Sequence, residues 1–111
     1  MTDRELLELA AKAAGIEYRS AGYRVTGIGE TGMPLLAIWE PLTDDGDALR
    51  LAVKLGLDVE MHGCTAPLSF ACAFDCMRNI AEEVEADDGD PYAATRRAIV
   101  RAAAEIGKAQ P

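Results

Sequence analysis

The chain has 111 residues and a formal net charge of −8, which is enough length for one domain with a real core and too little for two. Its acidity opposes broad association with DNA or with anionic membranes, because such association depends on clustered Lys and Arg side chains. No apolar run approaches the roughly 20 residues of a membrane span, and the three cysteines are an odd number that suits reduced thiols in a cytoplasmic protein.

The amino-terminal segment predicts an amphipathic helix. Thr2 and Glu5 have the spacing of a capping box, in which each side chain bonds the backbone N–H of the other residue. Gly15 is typical of the residue that follows a helix end. The apolar positions between these signals share one face of the helix, which we expect to pack on a sheet: Leu6, Leu9, Ala10 and Ala13.

Three strands are predicted next. Short alternating runs at 16–20 and 23–26 flank an Ala-Gly pair and are typical of a hairpin. After a further turn at 29–32 comes the apolar run 34–39. Because nearly every side chain in that run is apolar, we expect it to be the most buried strand of the sheet.

The next segment predicts a strand end, a capped helix and a glycine stop without a break. Pro41 prevents the preceding strand from continuing as a paired central strand. Thr43 or Asp44 can cap the first free amides of a helix over 43–55, and Gly56 can supply the left-handed residue beyond its end.

The region from 57 to 86 is predicted as strands. Residues 57–62 alternate apolar and polar side chains, which is typical of a strand with one wet face. Periodicity does not decide the segment 63–86, since 72–84 could also be helical. We favour two strands joined by a turn there, with a loop at 87–89.

A third helix is predicted from Asp90, an N-cap followed by Pro91, to Gly107, with 108–111 fraying beyond it. Its core-facing positions are Tyr92, Thr95, Ile99, Ala102, Ala103 and Ile106. No internal repeat is recognised. The predicted fold class is α+β: a single-domain α/β sandwich spanning 1–111, with a largely antiparallel sheet packed with three helices.

Three stretches carry a resemblance to a known family. They are Trp39-x-Pro41-Leu42-Thr43-Asp44, the run 48–56, and 90–100, which begins Asp-Pro-x-Ala-Ala-Thr-Arg-Arg. Together they resemble small bacteriophage and prophage proteins of the phage ABA sandwich domain type. The resemblance implies an α/β sandwich that is encoded by a phage or prophage and made in the host bacterial cytoplasm. Small phage proteins of this sort are often accessory factors, including ones that blunt host defence.

The third helix also carries the best candidate for anion binding. Arg96, Arg97 and Arg101 form a basic cluster, and guanidinium groups bind phosphate bidentately. Tyr92 is adjacent and could stack on a base, as could Trp39, although packing in the core explains Trp39 more simply. The alternative for the arginines is a solvated helix face, with Arg101 paired to a glutamate one turn later, Glu105.

A metal site and an enzyme site find less support. His62, Cys64, Cys72 and Cys76 are ligand types that suit tetrahedral zinc, but their spacing matches no common zinc module and lacks a Cys-x-x-Cys pair. We therefore predict no metal and no other cofactor. The paired acids have no adjacent base, nucleophile or phosphate loop, so no catalytic residue is assigned.

The function expected from these observations is that of a phage-encoded, non-enzymatic accessory protein. It would associate as a homo-oligomer and sequester a small phosphate-bearing ligand, a nucleotide-type immune signal of the host, with Arg96, Arg97, Arg101, Tyr92 and Trp39 as ligand-binding residues. The alternative is a protein–protein interaction module that binds a host or phage protein through its acidic face or its alanine-rich helices.

Overall fold

The computed structural model describes residues 1–19, 22–62, 70–75, 77–85 and 90–111. Within them, three helices and six strands form an α+β domain, which confirms the predicted fold class. None of the helices in these ranges is both long and apolar enough to cross a membrane. In chain order the elements are α1 (Asp3–Ala14), β1 (Tyr18–Arg19), β2 (Tyr23–Ile28), β3 (Pro34–Ile38), α2 (Asp45–Leu55), β4 (Asp58–His62), β5 (Phe70–Asp75), β6 (Ile80–Glu85) and α3 (Pro91–Ala109).

The helices begin at the predicted caps. Thr2 and Glu5 form the reciprocal capping box of α1. Of the two candidates for α2, Asp44 is the cap, and its carboxylate accepts the backbone N–H of Asp47 at 2.8 Å. Asp90 caps α3 by accepting two backbone N–H groups. Each cap satisfies amides that the first helical turn leaves without an intrahelical partner.

The strands form two separate antiparallel sheets, each with its strands in chain order. Sheet A contains β1, β2 and β3, and sheet B contains β4, β5 and β6. The two strands favoured in the undecided region are present as β5 and β6. The predicted loop at 87–89 lies outside the described residues.

Helix α3 is the centre of the molecule. It packs on sheet B, on α1 and on α2, and apolar residues around its circumference are buried, including Ile99, Val100 and Ile106. Helix α1 therefore packs mainly on α3, whereas the sequence suggested a sheet. The predicted end at Gly107 is also wrong: α3 continues to Ala109, and Gly107 instead lies against the backbone of Leu9, with no room for a side chain.

Sheet A corrects another prediction. The run expected to be the most buried strand is β3, in which Leu35, Leu36 and Ile38 are each more than half exposed. The reason is topological, because β3 is an edge strand and neither β2 nor β3 packs extensively on a helix. An apolar run identifies a strand but does not show what covers it.

The element order reveals a structural recurrence that the sequence analysis did not recognise. A helix followed by a three-stranded meander occurs twice, first as α1 with sheet A and then as α2 with sheet B. Both helices end the same way, at a glycine with positive φ: Gly15 at 70° and Gly56 at 68°. The two units differ in packing: α3 follows sheet B and packs on it, whereas α2 follows sheet A without an extensive contact with β2 or β3.

Candidate functional site

A cleft of ≈ 280 Å³ opens between the carboxyl end of α1, the inner face of sheet A and α2. We call it the cationic cleft, because three basic side chains line it: Arg24 from β2 and Arg50 and Lys54 from α2. Arg50 and Lys54 lie one helical turn apart, so both point from the same side of α2. The remaining lining residues are Ala14, Gly15, Ile16, Trp39, Asp47 and Leu51.

Trp39 forms an apolar wall of the cationic cleft. It follows β3, is 3% exposed, and meets the ring of Tyr18 edge to face with centroids 5.7 Å apart. Aromatic pairs favour this geometry, which fixes the plane of the indole. The structure therefore confirms that Trp39 packs in the core and also places it beside the basic side chains.

Asp47 organises one side of the cleft. Its carboxylate is buried and accepts the backbone N–H of Glu40 at 2.9 Å and the guanidinium of Arg50 at 2.8 Å. The hydrogen bond from Arg50 to Asp47 raises the pKa of the Arg50 guanidinium above its ordinary value. The Asp47 contact holds the Arg50 guanidinium at the mouth of the cleft, while most of its side chain remains in solvent.

The charges of the cleft do not cancel. Three cations line it against a single carboxylate, and that carboxylate already pairs with Arg50. Within the part of the chain that the structure describes, neither Arg24 nor Lys54 forms an ion pair or a side-chain hydrogen bond. Two positive charges therefore remain available to a ligand, which is an arrangement suited to a phosphate group.

The predicted arginine cluster on α3 is distributed among three separate carboxylates. Arg96 donates to the carbonyl of Leu42 at 2.9 Å and to Asp45 at 2.6 Å. Arg97 forks onto the carboxylate of Asp3 at 3.1 and 3.2 Å.

The third member, Arg101, lies 3.8 Å from Glu82 of sheet B. The alternative interpretation paired Arg101 with Glu105, but Glu105 pairs instead with Lys108 at 3.4 Å. The three guanidinium groups thus reach different neighbours and do not converge on one point.

Two of the predicted ligand-binding residues line one groove, which is separate from the cationic cleft. Tyr92 and Arg96 both line a groove of ≈ 530 Å³ between α2, β4 and α3, which we call the α2–α3 groove. Tyr92 was expected to face the core but is 67% exposed. The rest of the lining is mainly apolar and comes from Ala48, Leu49, Val59, Pro91 and Ile99. Asp45 and Thr95 contribute polar side chains to it.

The proposed metal ligands are only partly visible. Cys64, Cys76 and the side chain of His62 lie outside the described residues. Cys72 lies on β5, flanked in the ladder by Glu60 and Glu83. Burial and then these carboxylates raise the pKa of the Cys72 thiol, which disfavours the thiolate that binds metal. Among the described residues, no group of three His, Cys, Asp or Glu side chains could hold a metal ion.

Sequence reasoning missed the basic residues of the cleft. Arg50 and Lys54 at an i, i+4 spacing, with Asp47 one turn earlier, are a signal that was present in the sequence. Arg24 gave no such signal, because its approach to α2 depends on how sheet A is placed. Comparison of the chain with family models, with curated proteins and with solved structures gives no match. The phage resemblance therefore stays a prediction.

Proposed function

We propose that this protein binds a small phosphate-bearing ligand in the cationic cleft and does not turn it over. The observation that carries the proposal is the convergence of Arg24, Arg50 and Lys54, of which, among the described residues, only Arg50 has carboxylate partners: Asp47 at 2.8 Å and Asp44 at 3.8 Å. Phosphate oxygens would accept hydrogen bonds from the guanidinium and ammonium groups, and these charge-assisted bonds are the strong ones.

The wall of the cleft supports a nucleotide-type ligand over a bare anion. The partly exposed Ile16 and the nearly buried Trp39 and Leu51 place apolar atoms beside the basic groups. A ligand with both a phosphate and a base or sugar would use both kinds of surface. The volume of ≈ 280 Å³ is near the lower end of the roughly 300–1,000 Å³ typical of ligand pockets. This size supports a mononucleotide, or the phosphate-bearing part of a larger ligand that extends into solvent.

The lining supports binding without catalysis. Among the residues that line the cleft, Asp47 is the only group that could act as a general base, and both of its oxygens already accept hydrogen bonds. Combined with the resemblance to phage proteins, this favours sequestration as the role. In that role the ligand is a nucleotide-type immune signal of a bacterial host, held so that its receptor cannot reach it.

The test is a thermal-shift screen followed by calorimetry, with inorganic phosphate, adenosine monophosphate, ADP-ribose and cyclic dinucleotides as probes. At least one nucleotide should bind, and Lys54→Glu should weaken it by about tenfold or more, since an attractive charge becomes a repulsive one. Lys108→Glu is the matched control, because Lys108 lies far along the chain on α3 and pairs with Glu105. Unchanged affinity in Lys54→Glu, or no binding by any probe, would contradict the proposal.

A second variant separates the cleft from the predicted arginine cluster. Arg97→Glu removes the fork onto Asp3 but no group of the cleft. Binding in the cleft predicts nearly wild-type affinity for this variant. A loss of binding in Arg97→Glu with none in Lys54→Glu would return the site to α3.

The alternative function, a protein–protein interaction module, is favoured by the α2–α3 groove. Exposed Leu49 and Tyr92 give that groove an apolar lining, and exposed apolar surface is typical of protein contacts. A stoichiometric protein recovered with the wild type from bacteria, and lost with Leu49→Glu, would favour this alternative. Retained nucleotide in the same preparation would favour the cleft.

A further inference from the structure

Within sheet A, the outer face of β2 and β3 is an apolar surface. Register places Tyr23 opposite Ile38, Val25 opposite Leu36 and Ile28 opposite Pro34, and paired residues lie on the same face of an antiparallel sheet. This face is turned away from the buried Trp39, since successive side chains alternate. We call it the outer apolar face; its residues are Tyr23, Val25, Ile28, Pro34, Leu36 and Ile38.

Three of these apolar side chains are more than half exposed, although they lie in paired strands. The exposed fraction is 76% for Ile28, 64% for Ile38 and 51% for Leu36. A β-bulge between Val25 and Gly27 shifts the register of β2, and it is this shift that brings Ile28 onto the same face as Leu36. The sequence therefore maintains an apolar face across an irregularity that would otherwise interrupt it.

The structural recurrence shows how unlike the outer faces of the two sheets are. In the second unit α3 covers the face of sheet B that carries Ala71 and Ala73, and the opposite face carries Asp58, Glu60 and Glu83. In the first unit no helix makes an extensive contact with β2 or β3 within the described residues, and the outer face of these strands carries apolar side chains instead. Exposing an apolar face of this composition to water is unfavourable in free energy. Packing a second apolar surface against it would remove that penalty.

Charge indicates what that second surface is. The segment 16–39 carries two acids, Glu17 and Glu30, and two bases, Arg19 and Arg24, so it is neutral although the chain as a whole carries −8. Two copies of so acidic a chain repel each other over most of their surfaces. They can approach through sheet A, where the charge of Arg19, which lies opposite Tyr23 beside the outer apolar face, is balanced by Glu17 at 3.1 Å.

The area is sufficient for such a contact. Apolar side chains of this size expose roughly 200 Å² each when free, so the three fractions above leave roughly 400 Å² of apolar side chain on each copy. Two copies together bury about 1,000 Å² with the surrounding rim, which is the lower bound for a specific interface. The expected complex is therefore a reversible dimer of moderate affinity.

We propose that the outer apolar face of sheet A is the interface of a two-fold symmetric dimer, in which it packs against the same face of a second copy of this chain. The contact is isologous, so each side chain meets the same surface that it helps to form. The two sheets stack about 10 Å apart, as in a β-sandwich. The dimer goes beyond the ligand proposal, because the cationic cleft lies on the inner side of sheet A and is not needed for the contact.

The test is sedimentation velocity of the ligand-free protein over a range of concentrations. The wild type should convert from monomer to dimer as concentration rises, and Ile38→Glu should raise the dissociation constant by about tenfold or more, since it places a charge in an apolar contact. Val53→Glu is the matched control: Val53 is 72% exposed on α2 and receives the same charge outside the interface. A monomer at every concentration, or a dimer that Ile38→Glu leaves unchanged, would overturn the proposal.

Hydrogen–deuterium exchange of the wild type keeps the test independent of any folding defect in the variant. Amides of β2 and β3 should become more protected as concentration rises, while those of α2 should not. Concentration-dependent protection confined to the α2–α3 groove would overturn the proposed interface, because the copies would then meet through that groove. Association with a different protein through sheet A, with no self-association, would overturn it as well.

Discussion

Gly107 lies where α1 and α3 approach each other most closely. A Cβ at this position would lie 2.1 Å from the carbonyl oxygen of Leu9, which is backbone and cannot rotate away. Gly107→Ala should therefore destabilise the protein by about 2 kcal/mol or more, although alanine is the better helix former. Chemical denaturation measures this loss.

The control for that variant is Gly46→Ala in the first turn of α2. There the nearest atoms belong to the flexible guanidinium of Arg50, at 3.1 Å. This substitution should be neutral or stabilising, by up to about 1 kcal/mol. Equal stability of Gly107→Ala and the wild type would contradict the close helix contact.

Asp75 makes stability depend on pH. Its buried carboxylate accepts from the Arg78 guanidinium and from the backbone N–H groups of Arg78 and Met77, and these bonds, the guanidinium first, hold the pKa of Asp75 below its ordinary value. A pKa lowered in the folded state stabilises the protein above the unfolded pKa, and this stability is lost as pH falls through the folded pKa.

The measurement for Asp75 is the urea midpoint at about pH 7 and about pH 3. Asp75→Asn should lower stability at the higher pH and reduce the difference between the two. Asp58→Asn, on the exposed side of the same sheet and without these hydrogen bonds, should keep the wild-type difference. The Asp75 assignment would be contradicted if Asp75→Asn also kept it.

At the scale of elements, the start of α3 matters most because α1, α2 and sheet B all pack on this helix. The Asp90 carboxylate accepts the N–H groups of Tyr92 and Ala93, both at 3.1 Å. Asp90→Ala should cost about 1 kcal/mol of folding free energy, whereas Asp90→Asn, which can still accept, should cost only a few tenths. Denaturation curves that show the same loss for both variants would mean that charge, rather than capping, is what Asp90 contributes.

Helix ends could be predicted because their signals are local. The capping box at Thr2 and the glycines at 15 and 56 act within one turn, so the residue types alone carry the information. Gly107 misled the prediction, because glycine serves both to end a helix and to admit a neighbouring backbone. The burial of β3 could not be predicted, since it depends on whether a helix covers sheet A.

The candidate site was harder to predict than the fold for the same reason. Arg96 and Asp45 are 51 residues apart in sequence, and Arg97 and Asp3 are 94 apart. No local pattern shows that these arginines are paired, or that Arg24 of β2 lies beside Lys54 of α2. Our proposal therefore keeps the predicted type of ligand, a phosphate-bearing molecule, but places its binding site in the cationic cleft and not on α3.

At the scale of the whole molecule, sheet A separates two surfaces with different chemistry. Its inner side, with Trp39, closes the cationic cleft against α1 and α2. Its outer side is apolar across β2 and β3, and the charge of Arg19 on β1 is balanced by Glu17. A dimer through the outer side would hold both clefts open to solvent, so ligand binding and self-association can be measured separately.

The central claim is that a phosphate-bearing ligand binds beside Trp39. Since the chain has one tryptophan, its indole N–H gives a single resonance in a ¹H–¹⁵N NMR spectrum, and that resonance reports on the cleft directly. Titration with the tightest-binding nucleotide of the screen should shift it together with the Arg24 and Lys54 signals. An unchanged indole signal, with shifts confined to Tyr92 and Arg97 on α3, would contradict the account.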